Sequence, residues 1–315
     1  MQDPQLTIDT DLTDLEANAW FAQVDDICDE HGFFEQLGAE HCVGFLEAGN
    51  NLLVTFENAQ TVRAHNTDAE PRGFAYARHD GWSHLALMSF GESWFRDDAV
   101  FDFFDRMIDD GFFDDFERIV FHGADGGGYA AAAFSVAAPG ATVIALRPQA
   151  TLDAGMAGWD PRYKMHRRAN FTGRYGYAPE MIDGARKVFI AYDPIQRLDA
   201  IHAALFRKPH VTPLPCPLLG SQLDRAFDRL GIHDVMIKLA MDGSLDARRF
   251  AQLLRARRYD QTYARNLVHR LISTNHKSLA RIICTYMLQR GKDAFFAKKL
   301  QELSGARSAP SQIDS

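Results

Sequence analysis

The chain has 315 residues, 46% hydrophobic and 24% charged, with a formal net charge of -8, which is enough to bury a large core as one sizeable domain plus an appendage. No apolar run reaches the ~18 residues of a membrane span, and the start, Met1 to Asp9, lacks the positive and apolar regions of a secretory leader, so a cytoplasmic protein without a membrane segment is expected. Cys28, Cys42, Cys216 and Cys284 lie far apart with no Cys-x-x-Cys, which suits reduced, buried thiols better than a disulfide framework or zinc site; no metal or cofactor is expected.

In chain order, residues 13–36 begin with an amphipathic helix carrying Leu15, Trp20, Phe21 and Val24 and ending near Gly32. Strands are predicted at 51–56 and 84–90, and Val100, Phe103, Phe104, Met107 and Ile108 share one face of a helix. Ile119-Val120-Phe121 leads through a glycine turn into an alanine-rich helix reaching about Ser135, before Pro139-Gly140. Further strands are predicted at 142–146 and 187–192, with the last inside 210–219 despite its prolines. This alternation predicts an α/β fold, a mostly parallel sheet flanked by helices, over residues 1–245.

Residues 151–180, rich in arginine and aromatic side chains, read as a cap insertion. With His166 and Arg167 among them, they either bind an anionic or sugar-like small molecule or form a solvated loop that neutralises an acidic body. From 246 to 306 the pattern becomes a basic helical appendage with two apolar stripes, Ala264 to Ile272 and Leu279 to Met287, and 307–315 is expected to be a disordered tail. Residues 1–246 carry 20 Lys and Arg against 38 Asp and Glu, net -18, whereas 247–307 carry 14 against 3, net +11. The appendage is therefore expected to dock on the acidic segment Asp97 to Glu117 or on a twin subunit, making a homo-oligomer, and nucleic acid is not the expected partner of a net acidic chain.

The turn at 123–130 is where chemistry is expected. Gly123-Ala124-Asp125-Gly126-Gly127-Gly128-Tyr129-Ala130 has the small-x-nucleophile-x-small-small spacing of a nucleophile elbow, with aspartate at the apex. Over roughly residues 20–245 the chain resembles the α/β-hydrolase superfamily, and within it a bacterial group with a Gly-x-Ser-Met-Gly-Gly-Tyr-Ala elbow. Some relatives of that kind are called phosphoadenosine phosphosulfate reductases, but the nucleotide loop and reactive C-terminal cysteine which that chemistry needs are both missing here.

The resemblance implies an acid after the strand at 187–192, where Asp193 stands, and a histidine after the last strand, where the chain reads Leu219-Gly220-Ser221. Ser221 in that place leaves no general base. His122 is expected to face away from the apex, His210 lies at the wrong end of its strand and His233 falls beyond the expected loop, leaving His166 as the substitute.

Three readings of Asp125 stay open: a nucleophile on an ester, epoxide or halide, a carboxylate that holds a ligand, or a plain helix cap. The first would use Asp193 as orienting acid and the backbone N–H groups of Gly126 and of Asn58 or a neighbour as oxyanion donors. The other two imply a degenerate triad and a binding or assembly role.

Overall fold

The computed structural model describes residues 11–305; the tail expected to be disordered lies outside them. In chain order the elements are α1 Ala17–His31, β1 Gly32–Leu37, β2 His41–Leu46, β3 Asn51–Asn58, α2 Ala59–His65, α3 Gly73–Asp80, β4 Ser83–Ser89 and α4 Asp98–Asp109. There follow β5 Arg118–Ala124, α5 Gly126–Phe134, β6 Thr142–Leu146, the short cap helices α6 Ala154–Ala157 and α7 Ala178–Met181, β7 Lys187–Tyr192, α8 Arg197–Leu205 and β8 Val211–Pro215. Helices α9 Leu223–Arg229, α10 His233–Met241, α11 Ala247–Leu253, α12 Gln261–Ser273, α13 Lys277–Arg290 and α14 Ala294–Gly305 complete the described residues.

The eight strands form one sheet in the order β1-β2-β4-β3-β5-β6-β7-β8. β1 pairs antiparallel with β2 and β2 with β4, and every other pairing is parallel. This is the α/β, mostly parallel sheet flanked by helices that the alternation of elements predicts, in an α/β-hydrolase-like arrangement with a helical C-terminal region. The antiparallel pair β1 and β2 escaped the sequence reading. β1 is an edge strand with only Leu37 buried, so it lacks the apolar run by which the central strands are recognised.

Side chains alternate off the strands into cores on the two faces of the sheet. On one face Val54, Phe56 and Phe121 meet Phe104 of α4 and Phe134 of α5, and the Phe104 and Phe134 rings stack at 4.4 Å. On the other, Val120 and Ile144 meet Phe227 of α9 and Met236 and Ile237 of α10, a core that also takes in Phe250 and Leu254. A third core gathers Trp20 and Val24 of α1 with Cys42 and Phe74.

The appendage has its own core and meets the body away from the acidic segment Asp97 to Glu117. Ala264, Val268, Ala280, Cys284, Met287 and Phe296 of α12, α13 and α14 form a core of their own, while Leu279, Ile282 and Tyr286 of the second stripe stay exposed. The Arg229–Asp260 ion pair and the bond from Asn266 Nδ2 to Leu218 O tie this unit to the body. On the acidic segment, Asp102 and Asp105 of α4 are met by Arg174 and Tyr175 of the cap. All four cysteines are buried thiols. No helix among the described residues is long and apolar enough to cross a membrane.

Candidate functional site

β5 ends at Ala124 and α5 begins at Gly126, so Asp125 occupies the turn between a central strand and its helix, with φ 56° and ψ -119°. Positive φ is costly for a residue with a Cβ, and the neighbours hold it there. The Asp125 N–H donates to Leu146 O at 2.9 Å, and Tyr129 N–H donates to Asp125 O at 2.9 Å. The three glycines are a steric requirement: a Cβ on Gly123 would sit 2.2 Å from Gly127 O, one on Gly127 2.2 Å from Phe56 O, and one on Gly128 2.9 Å from Leu146 O.

A cavity of about 570 Å³ opens above this turn, lined by Asp125, Gly126, Asn58, Arg147, Trp94 and Tyr163 around the apex. Glu57, Arg72, His122, His233 and Asp224 line it too.

Arg147 follows β6 directly and is itself held at φ 51°. Its guanidinium makes an ion pair with Asp125 Oδ1, reaches Tyr163 Oη at 3.3 Å and lies 3.9 Å from buried Asp199. Asp199 is paired in turn with Arg162, and Arg162 with Asp160, whose carboxylate meets His202 Nε2 at 3.1 Å. Burial pushes the Asp125 carboxyl up to about 7; Arg147 opposes the shift, and the negative charges of Asp224 and Asp199 add to it. Its side chain is still 43% accessible from the cavity, so desolvation is partial and the contact with Arg147 favours the charged carboxylate. Asp125 makes no side-chain hydrogen bond to the N-terminus of α5, which removes the plain helix-cap reading.

Below the apex, His122 Nδ1 faces Ile144 O at 3.1 Å, its Nε2 faces His233 Nε2 at 2.9 Å, and His233 Nδ1 faces Asp228 Oδ1 at 2.7 Å. Asp228 is also bound by Arg72, and together they hold its carboxyl down to about 2. Burial, assisted by the positive charge of Arg72, pushes both imidazoles down. Two neutral rings carry two N–H groups, so one of these three contacts goes without a proton. The sequence reading set His233 aside for its distance from the expected loop, yet α10 packs beneath β5 and brings it to the cavity wall.

The remaining sequence candidates separate. Asn58, ending β3, accepts from Thr61 N and donates to Gly91 O, and it shares the cavity with Gly126. Buried Asp193, just after β7, accepts from Ile195 N and from Gly220 N at 2.8 Å; the acid thus grips the loop in which Ser221 stands exposed. His166 does not substitute as a base on the apex: its Nε2 is 3.0 Å from Glu92 Oε2 and its ring packs on Trp94 at 4.7 Å. Arg167 donates to Ala157 O and Asp160 O and so holds the cap loop together. Of residues 151–180 only Tyr163 lines the cavity among the described residues, so the cap arginines are not presented to a ligand there. Among the described residues no three His, Cys, Asp or Glu side chains are grouped to hold a metal ion.

No protein-family model matches this chain, and no curated protein matches it in sequence. Among solved structures, the chain is similar to brefeldin A esterase, described as a bacterial homologue of human hormone sensitive lipase, at 14% identity over 69% of this chain and 74% of that one, with a TM-score of 0.39. It is similar to the fluorophosphonate-binding serine hydrolase FphF of Staphylococcus aureus at 12% identity over 61% and 91% of the two chains, with a TM-score of 0.39. A glycosylation-associated protein (Gap123) complex from Streptococcus agalactiae matches at 11% identity over 67% of this chain, with a TM-score of 0.43. The chain spans less than half of that protein's length, 46%. These likenesses are remote, and the fold rests on the strand order itself.

Proposed function

We propose that this α/β-hydrolase-like protein binds a polar small molecule above a degenerate elbow and does not turn it over as a serine esterase does. The observation that carries this reading is the Asp125–Arg147 ion pair at the apex: the residue in the nucleophile's place is a carboxylate already engaged by a guanidinium, and no imidazole among the described residues hydrogen-bonds to it. A carboxylate so engaged is a poor nucleophile, and an ester formed on it would have no positioned base to activate water for its release.

On this reading the chain descends from the Gly-x-Ser-Met-Gly-Gly-Tyr-Ala group with aspartate replacing the serine and Ser221 the histidine, and Asp193 persists as a loop anchor. Gly126 and Asn58 keep the places of oxyanion donors, which now face a ligand. The proposed division is a body of residues 1–245 and an appendage of 246–306 whose first turns seat Phe250 and Leu254 in the body core. Exposed Leu279, Ile282 and Tyr286, at i, i+3 and i+7 of α13, support contact between copies through the appendage.

The test is hydrolysis of short-chain aryl esters by the purified protein and by Asp125→Asn. Both should match the buffer rate; turnover lost in Asp125→Asn would establish the alternative, an enzyme with Asp125 as nucleophile.

A further inference from the structure

We infer that the cavity's ligand is a hydroxylated primary amine of amino-sugar size, held through its ammonium group by Asp125 and Asp224. This deepens the binding role proposed above and rests on it.

Both arginines in its wall are already committed to carboxylates. Arg72 donates from Nη1 to Asp234 and from Nη2 to both oxygens of Asp228, and Arg147 serves Asp125 with Asp199 close behind it. Glu57 is likewise used up, accepting from Thr55 Oγ1, Asn66 Nδ2 and the Arg72 N–H. Every ring nitrogen of His122 and His233 faces a protein partner.

Glu92, the most exposed carboxylate of the lining, meets His166 through Oε2, and two further carboxylates remain for a ligand. Asp125 meets Arg147 through Oδ1, leaving Oδ2, and Asp224 at the start of α9 has no hydrogen-bond or ion-pair partner among the described residues. Both carboxylates line the same cavity, and after burial the negative charge of Asp224 is one of the influences that raise the Asp125 carboxyl.

The opposing field is weaker. The N-terminus of α5 contributes about half a positive charge, and the single charge of Arg147 is shared between Asp125 and Asp199. Acceptors in excess call for a donor-rich ligand, and an ammonium group satisfies both carboxylates while hydroxyls meet Tyr163 and Asn66 of the wall. A cavity of about 570 Å³ accommodates a monosaccharide.

The test is calorimetric titration of the full chain with glucosamine, 6-amino-6-deoxyglucose, glucose and glucuronate, which share one ring and differ in charge. At least one amino sugar should bind about tenfold more tightly than glucose, with glucuronate weakest. Asp224→Asn should remove that preference without changing the thermal midpoint, and the preference should grow from about pH 5 to pH 7 as Asp125 loses its proton. Amino sugars that bind no better than glucose, or glucuronate binding most tightly, would overturn the inference. These readings are independent of ester hydrolysis: turnover with amine preference sinks the non-catalytic role alone, and no turnover without that preference sinks the amine assignment alone.

Discussion

The guanidinium of Arg147 is ion-paired with the carboxylate of Asp125, joining the residue after β6 to the apex of the turn after β5. Through Asp199 and Arg162 the same contact is continuous with the cap. Replacing Arg147 by methionine removes the positive charge that opposes the rise of the Asp125 carboxyl, so that group should titrate above about 7 in the variant. Carboxyl carbon NMR across pH measures this. Asp199, left buried beside one fewer cation, should cost about 1–3 kcal/mol in denaturant unfolding.

The pH dependence of stability follows from the same group. A carboxyl raised in the folded state binds more protons folded than unfolded between about pH 4 and pH 7, so its contribution to stability falls as pH rises through that window and is level above it. Asp125→Asn should remove this fall: relative to the parent chain, the variant gains stability from about pH 5 to pH 8. Chemical unfolding at the two pH values reads the difference.

The elbow glycines give a steric prediction. Gly127→Ala places a methyl group 2.2 Å from Phe56 O, a backbone atom of a central strand that cannot step aside. The variant should lose more than about 2 kcal/mol or fail to fold, whereas Gly140→Ala, which meets nothing within 4 Å but sits at φ 91°, should be milder. Thermal unfolding separates the two.

Two truncations test how the appendage is joined. Phe250 and Leu254 belong to the core under α9 and α10, while α12 to α14 close a core of their own. Removal of 247–315 should therefore expose the body core and cause aggregation, and removal of 261–315 should leave a folded body. Light scattering and circular dichroism of the two products decide it; equal behaviour would contradict the separate cores.

Much of this architecture is legible in the chain because it follows from short-range physics. Gly123, Gly127 and Gly128 announce the elbow by steric need, and the buried strands at 51–56, 142–146 and 187–192 announce themselves as apolar runs. The site is less legible because its partners are remote in sequence. His122 and His233 are 111 residues apart and meet only because α10 packs beneath β5. Arg147 carries no motif; what could have marked it is its place one residue beyond the strand next to the elbow. The cap arginines left two readings open, since arginine richness does not tell a ligand contact from a pairing with Asp102, Asp105, Asp160 or Asp199.

Whether Asp125 is a nucleophile is tested most directly by intact-mass spectrometry of the protein after incubation with styrene oxide and with a haloalkane, in ordinary and in ¹⁸O water. An attacking carboxylate forms an ester with either reagent, and hydrolysis of that ester places ¹⁸O in the carboxylate itself. With Asp125 held by Arg147, the mass should remain that of the unmodified chain and no label should enter Asp125. An adduct or ¹⁸O located at Asp125 would contradict the binding role and make this protein an enzyme.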